Sequence, residues 1–234
     1  MNIIVTGAGK GVGREVVKSL SKNKANHIIA ISRNGKALEM LAKECAATHP
    51  GSHVTPYEFD LGQFDFYPFI IQRIETIIPR CDVVIHNAGR LINKPYDKIT
   101  PSDFDEIYNV NIKSPFFFTQ ALLPIMNKGG HIVNIGSMGG IQGSKKYKGL
   151  SAYSSSKGAL HVFTEILAEE LASREIHVNC LALGSVQTEM FTTAFPGMKA
   201  ALSPAEMGHF IADFALTGHL YFNGKVLPVA VTTP

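Results

Sequence analysis

The sequence predicts an α/β protein: a doubly wound parallel sheet of about seven strands with helices on both faces. Three observations carry this expectation. Short apolar runs alternate with longer stretches of helical periodicity from end to end. Most of the runs are near-continuous Val, Ile and Leu, the pattern of strands covered on both faces. No internal repeat, low-complexity tract or linker breaks the alternation, so residues 1–234 read as a single domain.

Strands are expected at Asn2–Thr6, His27–Ile31, Val54–Phe59, Val83–His86, His131–Ile135, Ile176–Leu183 and Val226–Val231. Helices are expected at Val12–Asn23, Lys36–Thr48, Phe64–Ile78, Pro101–Asn127, Tyr153–Arg174 and Pro204–Leu216. Ser102 and Asp103 mark the start of the fourth helix and Gly129-Gly130 its end. Right-handed crossovers between successive strands then place helices on both faces. Two irregular stretches, Met138–Ser151 and Thr188–Ser203, are long for connections in a compact domain, which marks them as functional candidates.

Composition excludes several classes. Apolar residues make up 45% and charged residues 18%, which is globular and not disordered. The net charge is +3, and only Lys145, Lys146 and Lys148 cluster, so no nucleic-acid partner is expected. No segment approaches the roughly 18 apolar residues of a membrane span, so no membrane association is expected. The chain starts on an apolar strand without the charged and hydrophobic regions of a secretory signal. Cys45, Cys81 and Cys180 are odd in number and far apart, the usage of reduced thiols in a cytoplasmic protein.

The first strand runs into Thr6-Gly7-Ala8-Gly9-Lys10-Gly11-Val12-Gly13, and a helix follows. In an open α/β sheet, ligands bind beyond the carboxyl ends of the strands. A helix N-terminus there presents free N–H groups to a pyrophosphate, and glycines let the backbone turn close to it. The spacing fits neither G-x-G-x-x-G nor the P-loop: from Gly7 the third glycine position holds Val12, and no Gly-Lys-Ser/Thr follows. It fits Gly7-x-x-x-Gly11-x-Gly13. The second strand ends Ser32-Arg33, where an acid would select NAD. A hydroxyl and a guanidinium suit a 2′-phosphate instead.

Thr-Gly-x-x-x-Gly-x-Gly at this position resembles the short-chain dehydrogenase/reductase family. The resemblance runs from Asn2 to about Val231 and implies a Rossmann fold. It implies contacts to an NADP(H) cofactor from Gly7, Lys10, Gly11, Val12, Gly13, Ser32 and Arg33. It also implies contacts from Asp60 and Leu61 after the third strand, and from Asn87, Ala88 and Gly89 after the fourth. Gly184, Val186 and Thr188 would meet the carboxamide of the nicotinamide. Tyr153-Ser154-Ser155-Ser156-Lys157 places a tyrosine and a lysine on one helix face. A nearby ammonium favours the phenolate. The resemblance assigns Tyr153 as acid or base and Lys157 as its tuning partner and ribose ligand. It assigns Ser137 as a hydrogen-bond donor to the substrate oxygen, and Asn111 as a link, through a water, to Lys157. The implied substrate is a small-molecule carbonyl or alcohol, and the implied assembly a homodimer or homotetramer.

The chain departs from the family pattern in several places. Leu183-Gly184 stands where Pro-Gly is usual, and the Asp-Gly-Gly after the last strand is missing. Extra residues fall in Gln142–Leu150, as a solvated basic loop or a contact for an anionic substrate. Met190, Phe191, Phe195 and Met198 line a pocket or pack on the core. A dehydratase or epimerase, and a dinucleotide-binding sensor or scaffold without turnover, stand as alternatives to the reductase.

Overall fold

The computed structural model describes residues 1–231. Seven strands form one sheet: β1 Asn2–Thr6, β2 His27–Ser32, β3 His53–Glu58, β4 Cys81–His86, β5 Met126–Ser137, β6 His177–Leu183 and β7 Lys225–Val229. Their spatial order is β3-β2-β1-β4-β5-β6-β7, and every pairing is parallel. The order reverses between β1 and β4, which opens a crevice at their carboxyl ends.

Alternation along β1 explains why the strands read as unbroken apolar runs. Ile3 and Val5 face one core, with α1 (Gly11–Leu20), α2 (Gly35–Thr48) and α8 (Pro204–Thr217). Ile4 faces the other, with α3 (Tyr67–Glu75), α5 (Ser114–Leu122) and α6 (Ser151–Glu170). Both faces are buried, so both sets of side chains are apolar. Of two further helices, α4 (Pro101–Tyr108) packs on α6, and α7 (Glu189–Ala194) follows β6.

The expected fourth helix, Pro101–Asn127, is corrected in three ways. It breaks at a π-helical turn, Asn109–Lys113, between α4 and α5. It ends at Leu122, and Gly129-Gly130 lie inside β5, which starts at Met126. Gly129 takes a φ of +77° there and donates to the Glu175 carbonyl at 2.9 Å. Its start is capped by Thr100, whose hydroxyl accepts from the Asp103 N–H at 3.1 Å. The Asp103 carboxylate in return accepts from the Thr100 N–H at 3.0 Å. Lesser differences are a 3-10 turn, Phe64–Phe66, ahead of α3, and a last strand that ends at Val229.

Three buried histidines are expected to make the fold acid-sensitive. Burial holds His86 down to about 3, and His131 and His161 each down to about 4. Each is neutral in the folded chain, whereas in the unfolded chain each titrates near 6.5. The unfolded chain therefore binds more protons below that value, and stability falls as pH drops. Each histidine adds a slope of up to about 1.4 kcal/mol per pH unit. Urea midpoints measured between pH 7 and pH 5 are expected to fall steadily. A flat profile would show that the histidines are not buried as neutral bases.

Candidate active site

The crevice is built first by backbone. Gly7 has a φ of +66° and lies against Ala88, where a Cβ would come within 2.7 Å of the Ala88 Cα. Gly11 has a φ of +57°, with Thr188 passing beside it. Thr6 locks β1 to the turn after β4: its hydroxyl accepts from the N–H groups of Asn87 and Ala88, both at 3.1 Å. The Asn87 amide donates to the carbonyls of Thr6 and Gly7 at 3.0 and 3.2 Å. Asn87 thus braces the glycine turn. Lys10 is the N-cap residue of α1 and provides no side-chain cap, so the first-turn N–H groups stay free for an anion. Val12 packs against the core, and Gly13 sits directly on the Gly7 carbonyl.

At the far end of the crevice, a cavity of about 370 Å³ is lined by Arg33, Glu58, Phe59, Asp60 and Gln63. Arg33 is exposed, with no ion-pair partner among the described residues. Ser32 exchanges weak hydrogen bonds with the Asn34 backbone, at 3.3 and 3.4 Å. Asp60 accepts from the Gly62 N–H at 3.0 Å, and Leu61 is buried in the core. Lys10 is not free: it pairs with Glu189 at 2.6 Å across the mouth of the glycine turn. Both partners are well exposed, so the pair contributes little. These features fit a dinucleotide: a free helix N-terminus, glycines with no room for a Cβ, and a guanidinium at a nucleoside-sized cavity.

The proposed reacting groups meet at the carboxyl ends of β4 and β5. Ser137 ends β5, and its hydroxyl accepts from the Gly139 N–H at 3.2 Å. Tyr153 lies in the first turn of α6. Burial pushes its hydroxyl up from the ordinary value, and a hydrogen bond with Ser137 pulls the other way. Lys157 follows one turn later and is 4% exposed. Burial lowers it to about 8, and its ammonium donates to the Ile135 carbonyl at 2.7 Å. In this geometry Lys157 is directed at backbone, and the forces on the Tyr153 proton are burial and Ser137.

Asn111 sits in the π-turn and is fully buried. Its carboxamide oxygen accepts from the Arg90 N–H at 2.8 Å; its amide donates to the Arg90 carbonyl and to the Ser156 hydroxyl, both at 2.9 Å. Gly89 lies between Asn111 and Lys157: a Cβ there would stand 3.6 Å from the Asn111 oxygen and 3.8 Å from the Lys157 ammonium. Asn111 therefore ties the turn after β4 to α6. A π-turn is a frequent mark of a functional site, and here it places this asparagine.

The stretch Gly184–Thr188 crosses over the glycine turn. The Gly184 N–H donates to the Val229 carbonyl at 2.8 Å, Val186 is buried in the core, and the Thr188 hydroxyl caps α7. Leucine in place of proline at 183 leaves this stretch fastened by the last strand. Beyond it, Phe191 and Phe195 meet with tilted rings, centroids 5.3 Å apart, while Met190 and Met198 are exposed. None of the four is a core residue.

Thr6 heads the glycine motif, whereas Gly9 and Ser156 carry roles that no motif in the sequence assigns. A Cβ on Gly9 would come within 2.7 Å of the Ser32 hydroxyl, so this glycine joins the turn to the end of β2. Ser156 acts through Asn111, a partner distant in sequence, and no local signal marks it.

Comparison with known proteins gives the same picture. A family model described as short chain dehydrogenase matches residues 1–199. The chain is 35% identical to Carbonyl reductase [NADPH] 2 of Sus scrofa over 193 residues, 81% of this chain and 73% of that one. It is 32% identical to the 3-oxoacyl-[acyl-carrier-protein] reductase FabG of Thermotoga maritima over 211 residues, 88% of this chain and 83% of that one. A short chain dehydrogenase from Escherichia coli CFT073, solved in complex with NADPH, superposes with a TM-score of 0.86. It is 28% identical, and the match covers 97% of this chain and 95% of that one. Fold, crevice and these similarities agree, and the chain belongs to the short-chain dehydrogenase/reductase family of oxidoreductases.

Proposed function

We propose that this protein is an NADP(H)-dependent reductase of small-molecule carbonyl compounds, or the corresponding alcohol dehydrogenase, with Tyr153 as its general acid or base. The observation that supports the reading is the hydrogen bond between Tyr153 and Ser137 at the end of β5, with Lys157 buried one turn further along α6.

The turn Gly7–Gly13 and the free N–H groups of α1 would hold the pyrophosphate. Ser32 and Arg33 would take the 2′-phosphate; Asp60, Leu61, Asn87, Ala88 and Gly89 would bound the adenosine; Gly184, Val186 and Thr188 would border the nicotinamide. Lys10 reaches the phosphate only by exchanging its exposed partner Glu189. When bound, the cofactor supplies hydride to the carbonyl carbon or accepts it from the alcohol carbon. Ser137 donates to the substrate oxygen and polarises it. Tyr153 delivers a proton to that oxygen as negative charge grows. Burial favours the phenol over the phenolate, so Tyr153 carries the proton that reduction consumes. Lys157 would bind the ribose, and Asn111 holds the frame behind it.

The pig enzyme named for NADPH and the Escherichia coli complex support the cofactor choice. The test is NADPH against NADH consumption on a panel of ketones and aldehydes, with parent and Arg33→Glu side by side. The parent is expected to prefer NADPH in kcat/KM. The variant is expected to lose that preference by about tenfold or more, the weight of one charge-assisted pair reversed in sign. Equal use of both cofactors by the parent would overturn the NADP assignment.

The chain would act as a homodimer or homotetramer in the cytoplasm. Phe104, Phe116, Val162 and Ile166 are exposed on α4, α5 and α6 and provide an apolar face for association. The three cysteines are buried and unpaired, as suits a reducing compartment. Among the described residues, no helix is long and apolar enough to cross a membrane.

A further inference from the structure

A cavity of about 690 Å³ opens beside the catalytic helix. Its wall includes Asn93, Tyr96, Lys146, Tyr147, Lys148 and Ser154. Two lysines line it and no carboxylate does. Ser154 follows Tyr153 directly, and a Cβ on Gly139 would touch both the Ser154 and the Ser137 hydroxyls, at 3.0 and 3.5 Å. Ser154 therefore links the cavity wall to the neighbourhood of Tyr153 and Ser137.

The loop that carries the lysines is held in place. The Lys94 N–H donates to the Gly149 carbonyl at 3.1 Å. The Tyr147 ring meets Phe195 edge-on with centroids 5.6 Å apart, and Lys145 lies 5.4 Å from the centre of the Tyr147 ring. The Ser144 hydroxyl donates to the Ile141 carbonyl at 2.9 Å. Gly149 has a φ of +86°, and a Cβ there would collide with Asn93. Among the described residues, the Lys146 ammonium has only a backbone carbonyl and the Ser144 hydroxyl as partners, and Lys148 has no ion pair.

We propose that this cavity is an anion subsite, and that the substrate is a carbonyl compound bearing a carboxylate or phosphate at the end remote from the reacting carbon. This rests on the reductase reading above. Tyr96 and Tyr147 cover the body of the substrate, and the Lys146 and Lys148 ammoniums take its charged end by charge-assisted hydrogen bonds. An anion there also offsets the charge of two lysines on one cavity wall.

The experiment uses matched ketones with the NADPH-loaded protein. One pair is para-acetylbenzoate and its methyl ester; the other is para-acetylphenyl phosphate and para-hydroxyacetophenone. The anionic member of at least one pair is expected to be favoured by about fivefold or more in kcat/KM, through KM, the scale of two exposed ion pairs. Which pair shows the larger preference separates carboxylate from phosphate. The preference is expected to collapse to about twofold or less in Lys146→Gln/Lys148→Gln, and to shrink as salt is added. No preference in either pair, or a preference that survives the double substitution, overturns the subsite. Titration calorimetry of the same compounds into the NADP⁺-loaded protein separates this from the reductase reading. Lysine-dependent binding of the anions without turnover would sink the reductase and keep the subsite. Absence of lysine-dependent binding would sink the subsite whatever the turnover.

Discussion

Tyr153→Phe is expected to lower kcat/KM for carbonyl reduction by roughly 10²–10⁴-fold, the range for losing a positioned general acid. The substitution removes one hydroxyl and keeps the ring, so packing at the start of α6 is preserved. Affinity for NADPH is expected to stay within a few-fold of the parent, because the cradle at Gly7–Gly13 is untouched. The measurement is reduced-nicotinamide consumption with the best ketone of the panel, alongside cofactor binding by fluorescence. A variant that keeps most of the parent rate would remove Tyr153 from the mechanism. A parent that binds NADPH tightly and reduces nothing would bring forward the non-catalytic sensor. A dehydratase or epimerase would instead turn over substrate with no net nicotinamide consumption. Burial holds the Tyr153 proton, so alcohol oxidation, which needs the phenolate, is expected to rise with pH more steeply than carbonyl reduction.

Gly13→Ala is expected to be far more damaging to cofactor binding than Gly11→Ala in the same turn. A Cβ at 13 would stand 2.5 Å from the Gly7 carbonyl oxygen and closer still to the Asn87 amide. Neither neighbour can give way cheaply. The Gly7 carbonyl and the Asn87 amide are hydrogen-bonded to each other, and Asn87 also holds Thr6. Overpacking of this kind costs about 1–3 kcal/mol, and here it falls on the turn that would cradle the pyrophosphate. A drop in melting temperature together with a large loss of NADPH affinity is expected. Gly11→Ala provides the contrast. Its φ of +57° costs roughly 1–2 kcal/mol in backbone conformation, but the nearest atom to a Cβ is a Thr188 methyl at 3.5 Å. Gly11→Ala is thus expected to lose stability with a smaller effect on the cofactor. Equal behaviour of the two variants would contradict the close contact between α1 and the turn after β4.

Much of the chemistry is local and therefore legible in a line of residues. Tyr153 and Lys157 share a helix face because four residues make about one turn, whatever surrounds them. Gly7 and Gly11 adopt the positive φ that their residue type permits. Unbroken apolar runs forecast strands covered on both faces, and β1 splits its side chains between two cores accordingly. Where sequence reasoning failed, the deciding partner lay far along the chain. The fourth helix read as continuous to Asn127 because its apolar periodicity carries through. A π-turn interrupts it where Asn111 reaches back to Arg90 and across to Ser156. Gly129-Gly130 read as a helix stop, yet tertiary pairing placed them in β5, where Gly129 donates to Glu175.

The alternation of strands and helices, the glycine turn, the missing acid at the end of β2 and the tyrosine–lysine pair are all legible in residue order alone. Each of these depends on neighbours within one turn or one strand, where composition and spacing are enough. Folding in three dimensions sets which carbonyl the Lys157 ammonium meets, pairs Lys10 with Glu189, braces the glycine turn with Asn87 and brings the extra lysines to the border of a cavity. Those outcomes depend on contacts between residues 22 to 179 positions apart. Packing of the two helical layers on the sheet sets such contacts, and no local pattern encodes them.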